Sequence, residues 1–196
     1  MDTNRLEAFS DGVIAIAITL LVLEIAVPGP GRPLGPALLG LWPSYLAYAV
    51  SFLVIGAIWI NHHAMFEHIV RADSMLLLLN VLHLMLIAFL PFPTAVLAGA
   101  FSHGTDQAVA AAFYGATLLV LGLLINVMWR YAAHRHRLLD PGLTADKVRR
   151  IGRHFLIGPL GYAVATLVAL AFPPAALAVF LVLNVFYLWP RKRVAA

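Results

Sequence analysis

The chain has 196 residues, a formal net charge of +4 from 13 Lys/Arg against 9 Asp/Glu, and no cysteine. Hydrophobic residues make up 62% and charged residues only 11%, where soluble domains carry about 25% charged, and a soluble domain of this length leaves roughly 30% of its chain surface in water. So few polar groups cannot cover that surface: the composition predicts an integral membrane protein and excludes disorder, collagen, a disulfide scaffold and Cys-bound metals.

A bilayer-crossing helix needs about 20 mostly apolar residues, and six stretches are predicted as spans: 5–27, 41–63, 74–98, 106–131, 155–172 and 174–189. Together they make residues 1–196 one all-α membrane domain with six transmembrane helices. The sixth span is short. Phe172-Pro173-Pro174 reads as a helix stop followed by a helix start, which predicts a hairpin between spans five and six. Pro91, Pro93 and Gly158-Pro159 mark kinks or frayed ends in spans three and five. Unbroken apolar runs such as 75–79 do not alternate as the strands of a membrane β-barrel do. Glu7 and Asp11 stand where a signal peptide needs positive charge.

Orientation follows from the basic residues. With six spans, the N-terminus, loops two and four and the C-terminal tail share one side. That side carries 12 of the 13 basic residues, Arg32 being the exception. The positive-inside rule assigns it to the cytoplasm, so both termini are predicted inside. Basic loops beside anionic lipid account for the charge, and no nucleic-acid partner is expected.

The first span carries four ionisable groups: Arg5, Glu7 and Asp11 in its cytoplasmic third and Glu24 near its far end. A carboxylate this deep costs about 2.5–3.5 kcal/mol on insertion scales, so Asp11 is expected to face protein and to find a donor. Arg5 lies on a different helix face. The end of the second span, Trp59-Ile60-Asn61-His62-His63, reaches the same depth with ring and amide donors. Two readings stand: Ser10 and Asp11 fasten helix one to helix two, or a proton relay runs through the histidines. At 100° per residue, Gly12, Ile16, Thr19 and Leu23 form a narrow stripe bordered by Leu20. Periodicity alone leaves both a packing seam and a pore lining open.

Further along, His62-His63-x-x-x-Glu67-His68 places His63 and Glu67 one turn apart, yet lacks the His-Glu-x-x-His pattern of zinc enzymes, and no functional metal is expected. Asn80, His83, Asn126 and Asn184 read as interhelical hydrogen-bond partners. Trp42, Trp129, Tyr131, Tyr187 and Trp189 read as interfacial anchors, and Thr144 as the cap of a short cytosolic helix leading into span five. No catalytic pairing or nucleotide loop is present, so neither enzymatic activity nor a cofactor is expected.

The run Arg5-x-x-x-Phe9-Ser10-Asp11-Gly12, followed by Ala15-Ile16-x-x-Thr19-Leu20-x-x-Leu23, resembles the first helix of the transmembrane protein 175 family of endolysosomal potassium channels and their bacterial relatives. The likeness is sharp over roughly 20 residues, and the remainder agrees in span count and in the Trp59…His62-His63 end of helix two. It implies a homotetramer of six-span subunits in a bacterial-type plasma membrane. Helix one would line a central pore without a carbonyl filter and pass potassium and other monovalent cations. By position, the resemblance makes Ile16 the hydrophobic gate, Leu20 and Leu23 further narrow rings, and Thr19 the selectivity layer. Arg5, Phe9, Ser10, Asp11, Trp59, His62 and His63 would hold the pore helix, with Glu24 at the outer mouth. The rival expectation is a secondary transporter, proton-coupled carrier or proton channel using Asp11 and His62 or His63.

Overall fold

The computed structural model describes residues 3–31 and 33–188, with side chains through Val185. It is an all-helical structure. Helix α1 (Asn4–Leu20) continues as a 3-10 turn (Leu21–Glu24). Then come α2 (Leu34–Gly40), α3 (Trp42–Phe66), α4 (Ser74–Phe89), α5 (Pro91–His103), α6 (Gln107–Ala133), α7 (Ala145–Ala171) and α8 (Pro173–Leu188). Five stretches are long and apolar enough to cross a membrane: Asn4–Glu24, Trp42–Phe66, Ser74–His103, Gln107–His136 and Ala145–Ala171; α8 is apolar but shorter. Arg32, the side chain of Tyr187, Trp189 and the basic tail Arg191, Lys192 and Arg193 lie outside the described residues.

The element boundaries depart from the predicted spans in physically readable ways. The third span is two helices that meet at Leu90. Pro91 and Pro93 bring no amide hydrogen to the ladder, and the Leu90 amide tightens onto the Ile87 carbonyl at 3.1 Å. The fifth begins at Ala145 instead of residue 155, because the expected cytosolic helix and the span are one element. Thr144 caps it by accepting from the Lys147 amide at 3.3 Å. A short α2 stands in the first loop, which was not expected to hold a helix.

Pro159 lies inside α7 without ending it. A proline leaves the carbonyl four residues earlier without its helical donor. That carbonyl, on Phe155, instead accepts from Asn126 Nδ2 at 2.7 Å, and the same amide also donates to Gly122 at 2.9 Å. An α6 side chain thus repairs the α7 ladder. Between apolar helices in lipid, burial supplies little drive, so close fit and hydrogen bonds hold the bundle. Gly122 faces Pro159 so closely that a β-carbon would lie 2.9 Å from its Cγ, and one on Gly161 would lie 2.7 Å from Leu183.

A buried hydroxyl chain joins α3, α5 and α6. Thr94 Oγ1 donates to the Leu90 carbonyl at 2.8 Å, so it must accept from Ser51 Oγ, 2.8 Å away. Ser51 has then used its only proton, and Tyr114 must donate to it at 2.9 Å.

At the basic end, the segment after α6 folds back over the α3–α4 loop. The Val70 and Arg71 amides donate to the Leu138 carbonyl and the Asp140 amide to His68, at 3.0–3.3 Å. Asp73 caps α4 through the Leu76 amide at 2.9 Å, while its other oxygen accepts from Tyr131 at 2.7 Å and Arg137 at 3.0 Å. Burial pushes this carboxyl upward, but those three donors together hold it below the usual carboxylate range. Trp129 corrects an expectation: it is only 2% exposed and packs on Phe155 at 5.7 Å between ring centroids, so it is a core residue and not an interfacial anchor.

Candidate functional site

Helix α1 has one face in the bundle and one face out of it. Leu6, Ser10, Ile14, Ala17 and Leu21 are buried, following the i, i+4, i+4, i+3, i+4 rhythm of a single helical stripe. Phe9, Gly12, Ile16, Thr19, Leu20 and Leu23 are exposed, with Ile16 at 62% and Leu23 at 72%. The Gly12–Ile16–Thr19–Leu23 stripe is therefore not a seam between helices of its own subunit. Thr19 Oγ1 donates to the Ile16 carbonyl at 2.8 Å. Glu24 is half-buried at the end of the 3-10 turn.

The N-terminal half of α1 is tied down on two sides. Asp11 Oδ1 accepts from Trp59 Nε1 of α3 at 2.9 Å, which supplies the donor that the sequence demanded. On the buried side, Ser10 Oγ donates to the Leu6 carbonyl at 2.8 Å and accepts from Asn80 Nδ2 of α4 at 2.9 Å. Asn80 Oδ1 faces His62 Nε2 at 2.9 Å. An amide oxygen only accepts, so His62 carries its proton on Nε2. The chain is directional from end to end: His62 to Asn80, Asn80 to Ser10, Ser10 to Leu6.

The two neighbouring histidines separate here. His62 is 1% exposed and belongs to the clamp. The His63 side chain is 56% exposed, stacks on Trp59 with centroids 6.1 Å apart, and lies 3.9 Å from Glu67. Among the described residues no group of three or more potential metal ligands stands together. Arg5 is exposed and forms no ion pair with Asp11. Phe9 is exposed on the outer stripe and takes no part in the clamp's hydrogen bonds.

Of the four isolated polar residues, three have interhelical partners. Asn80 is the hub of the clamp, Asn126 bonds α7, and Asn184 accepts from Tyr162 at 3.2 Å. The exception is His83, which stacks parallel to His62 at 6.1 Å, with neither ring nitrogen bonded among the described residues. Sequence reasoning marked Asn80 as a partner without joining it to Ser10. The signal was depth: α4 starts at the same end as α1, so Asn80, seven residues in, matches Ser10.

The sequence profile of the family described as endosomal/lysosomal potassium channel TMEM175 matches residues 5–91. A protein of Streptomyces collinus named a potassium channel is 43% identical over 189 residues, covering 95% of this chain and 91% of the relative. The endosomal/lysosomal proton channel TMEM175 of Gallus gallus is 43% identical over 102 residues, which cover 46% of this chain and 20% of that protein. The crystal structure of a lysosomal potassium-selective channel TMEM175 homolog from Chamaesiphon minutus superposes with a TM-score of 0.86 at 39% identity, covering 95% of this chain and 96% of that one. A membrane bundle with this first helix, and a potassium-channel relative matched along nearly its whole length, place the chain in the TMEM175 family.

Proposed function

We propose that the chain is one subunit of a potassium-conducting channel and that four copies surround a pore lined by α1. The observation that carries this reading is the exposed Gly12–Ile16–Thr19–Leu23 stripe on a helix whose N-terminal half is fixed by directional hydrogen bonds. A helix clamped on one side with its other face uncovered suits a wall around an axis. The relatives named as potassium channels point the same way. The apolar, sparsely charged chain and its family are those of a membrane channel and not of an enzyme.

In this arrangement four Ile16 side chains close the path by excluding water, a gate that needs no charge, with Leu20 and Leu23 as further narrow rings. Four Thr19 oxygens one turn away receive a partly dehydrated cation weakly enough to release it. They replace a hydration shell less completely than stacked carbonyl rings, so the preference for potassium over sodium is modest. Glu24 attracts cations at the outer mouth. Ser10, Asp11, Trp59 and His62 hold the pore helix, with Arg5, Phe9 and His63 at the margin of that set. Helix α8 is the sixth crossing, about 24 Å long at 1.5 Å per residue. Residues 1–196 form one domain of a multi-pass protein of a bacterial-type plasma membrane, with both termini cytoplasmic.

A carrier or proton path through Asp11 and His62 or His63 finds less support. Asp11 bonds Trp59 and His62 bonds Asn80, so no direct bond joins the carboxylate to either histidine. The chain has no native cysteine, which makes the test clean. An Ile16→Cys protein in potassium-loaded liposomes is expected to lose most of its flux on thiol modification, while Leu167→Cys, on the exposed surface of α7, keeps its flux. Full flux through labelled Ile16→Cys protein would sink the pore assignment.

A further inference from the structure

A cavity of ≈ 40 Å³ lies between α3, α4, α6 and α7, bordered by Ala57, Asn61, His83, Gly122, Pro159 and Tyr162. Gly122 and Pro159, packed closely on each other, are among its walls. The remaining walls are apolar, and no acidic or other basic side chain lines it.

His83 is fully buried, and neither Nδ1 nor Nε2 meets a partner among the described residues. A neutral imidazole presents one N–H and one lone pair, and buried polar groups left unmet are rare in native proteins. The guest that answers His83 must therefore donate and accept. It must be uncharged, since no carboxylate lines the cavity to balance a cation. It must also be small. Water meets all three demands, and a cavity of ≈ 40 Å³ exceeds the roughly 10–15 Å³ that one water requires. Asn61 adds a second anchor: its Nδ2 donates to the Ala57 carbonyl at 2.8 Å, which leaves Oδ1 as an acceptor.

We propose that this cavity is a hydration site in which ordered water bonds Asn61 and, with a small turn of the buried ring, His83. The site is distinct from the outer stripe of α1 and does not depend on that stripe lining a pore. It lies one ring behind the clamp, because His83 stacks on His62, the donor that starts the chain to Ser10. Water here gives the α4 imidazole a polar environment while apolar walls surround the rest of its ring.

Two measurements on the full chain in lipid nanodiscs test this. A map sharp enough to show solvent elsewhere in the protein is expected to show a peak within hydrogen-bond distance of a His83 nitrogen. Radiolytic hydroxyl labelling, which reports water beside a side chain, is expected to mark Tyr162 in the wild type. That labelling should fall several-fold in His83→Leu and in Asn61→Leu, with exposed Trp42 unchanged as an internal control. Unchanged labelling of Tyr162 in folded variants overturns the proposal. So does a solvent-resolving map in which both His83 nitrogens bond protein groups directly; that map needs only the wild-type chain.

Discussion

Helix α1 and the α6–α7 pair belong to one bundle but are fixed by different physics. The first is positioned by directional bonds, Trp59 to Asp11 and Asn80 to Ser10, and keeps one face uncovered. The second is positioned by shape, with Gly122 against Pro159 and an Asn126 amide filling the gap in the α7 ladder. The difference is instructive. Both keep an outer face uncovered, Ile16 and Leu23 on α1 and Leu160 and Leu167 on α7, but α7 is keyed by the close Gly122–Pro159 fit, whereas Gly12 of α1 faces open space. Hydrogen bonds at known angles supply the missing constraint, and in lipid they have little water to compete with them.

The comparison breaks first at the shape-fitted pair. Gly122→Val drives a side chain into the rigid Pro159 ring and is expected to cost about 3 kcal/mol, read as a large drop in the thermal midpoint in detergent. An unchanged midpoint would mean that α6 and α7 yield to each other, and the contrast with α1 would fail. Asn80→Leu comes next. It leaves His62 Nε2 buried without its acceptor, at about 2 kcal/mol. Its sharper readout is rotational: thiol labelling separates Gly12→Cys (exposed) from Ala17→Cys (buried) on the intact clamp, and that separation should shrink when Asn80 is lost. Equal separation with and without Asn80 would show that packing alone sets the rotation of α1.

The smallest effect lies at the basic end, where both modes meet. Asp73→Ala removes the α4 cap and should cost about 1 kcal/mol. The pH dependence has a definite sign. The folded carboxyl titrates below its unfolded value of about 3.9, so its stabilisation is complete above that value and is lost as pH falls through the lower folded one. Acid unfolding below about pH 4 should therefore be less steep in Asp73→Asn, which keeps a capping oxygen and lacks the charge. Because Asp73 and Arg137 are both more than a third exposed, solvent screens the pair and the change in slope is small.

Much of this arrangement is legible in the sequence for a simple reason: lipid makes polar residues conspicuous. Asp11 in an apolar run had to find a donor, and the helix-two end at matching depth offered a cluster of them, of which the packed bundle selects Trp59. Asn126 and Asn184 were readable as interhelical partners on the same ground. What was not readable depended on rotation. His62 and His63 are adjacent in sequence and 100° apart on the helix, and only the packed bundle assigns one to the clamp and the other to the surface. The exposure of the Ile16 stripe was equally hidden, since a seam and a free face share one periodicity. Trp129 misled because its place at a span end resembles an anchor, while α7 and the His68 ring pack against it and leave it buried. The break at Leu90 was marked by its prolines, but the continuity of α7 through Pro159 rests on Asn126, 33 positions away in the chain.

Thr19 returns its hydroxyl proton to the Ile16 carbonyl. The oxygen therefore has no hydrogen left to offer outward, and what it shows beyond the helix is electron density alone. In the proposed pore a solute at this level would meet a one-way chemical face: chloride would find no donor on Thr19, whereas a metal cation would find a ligand oxygen. Discrimination by sign of charge can thus be written into an uncharged residue through the backbone atom its proton is pointed at.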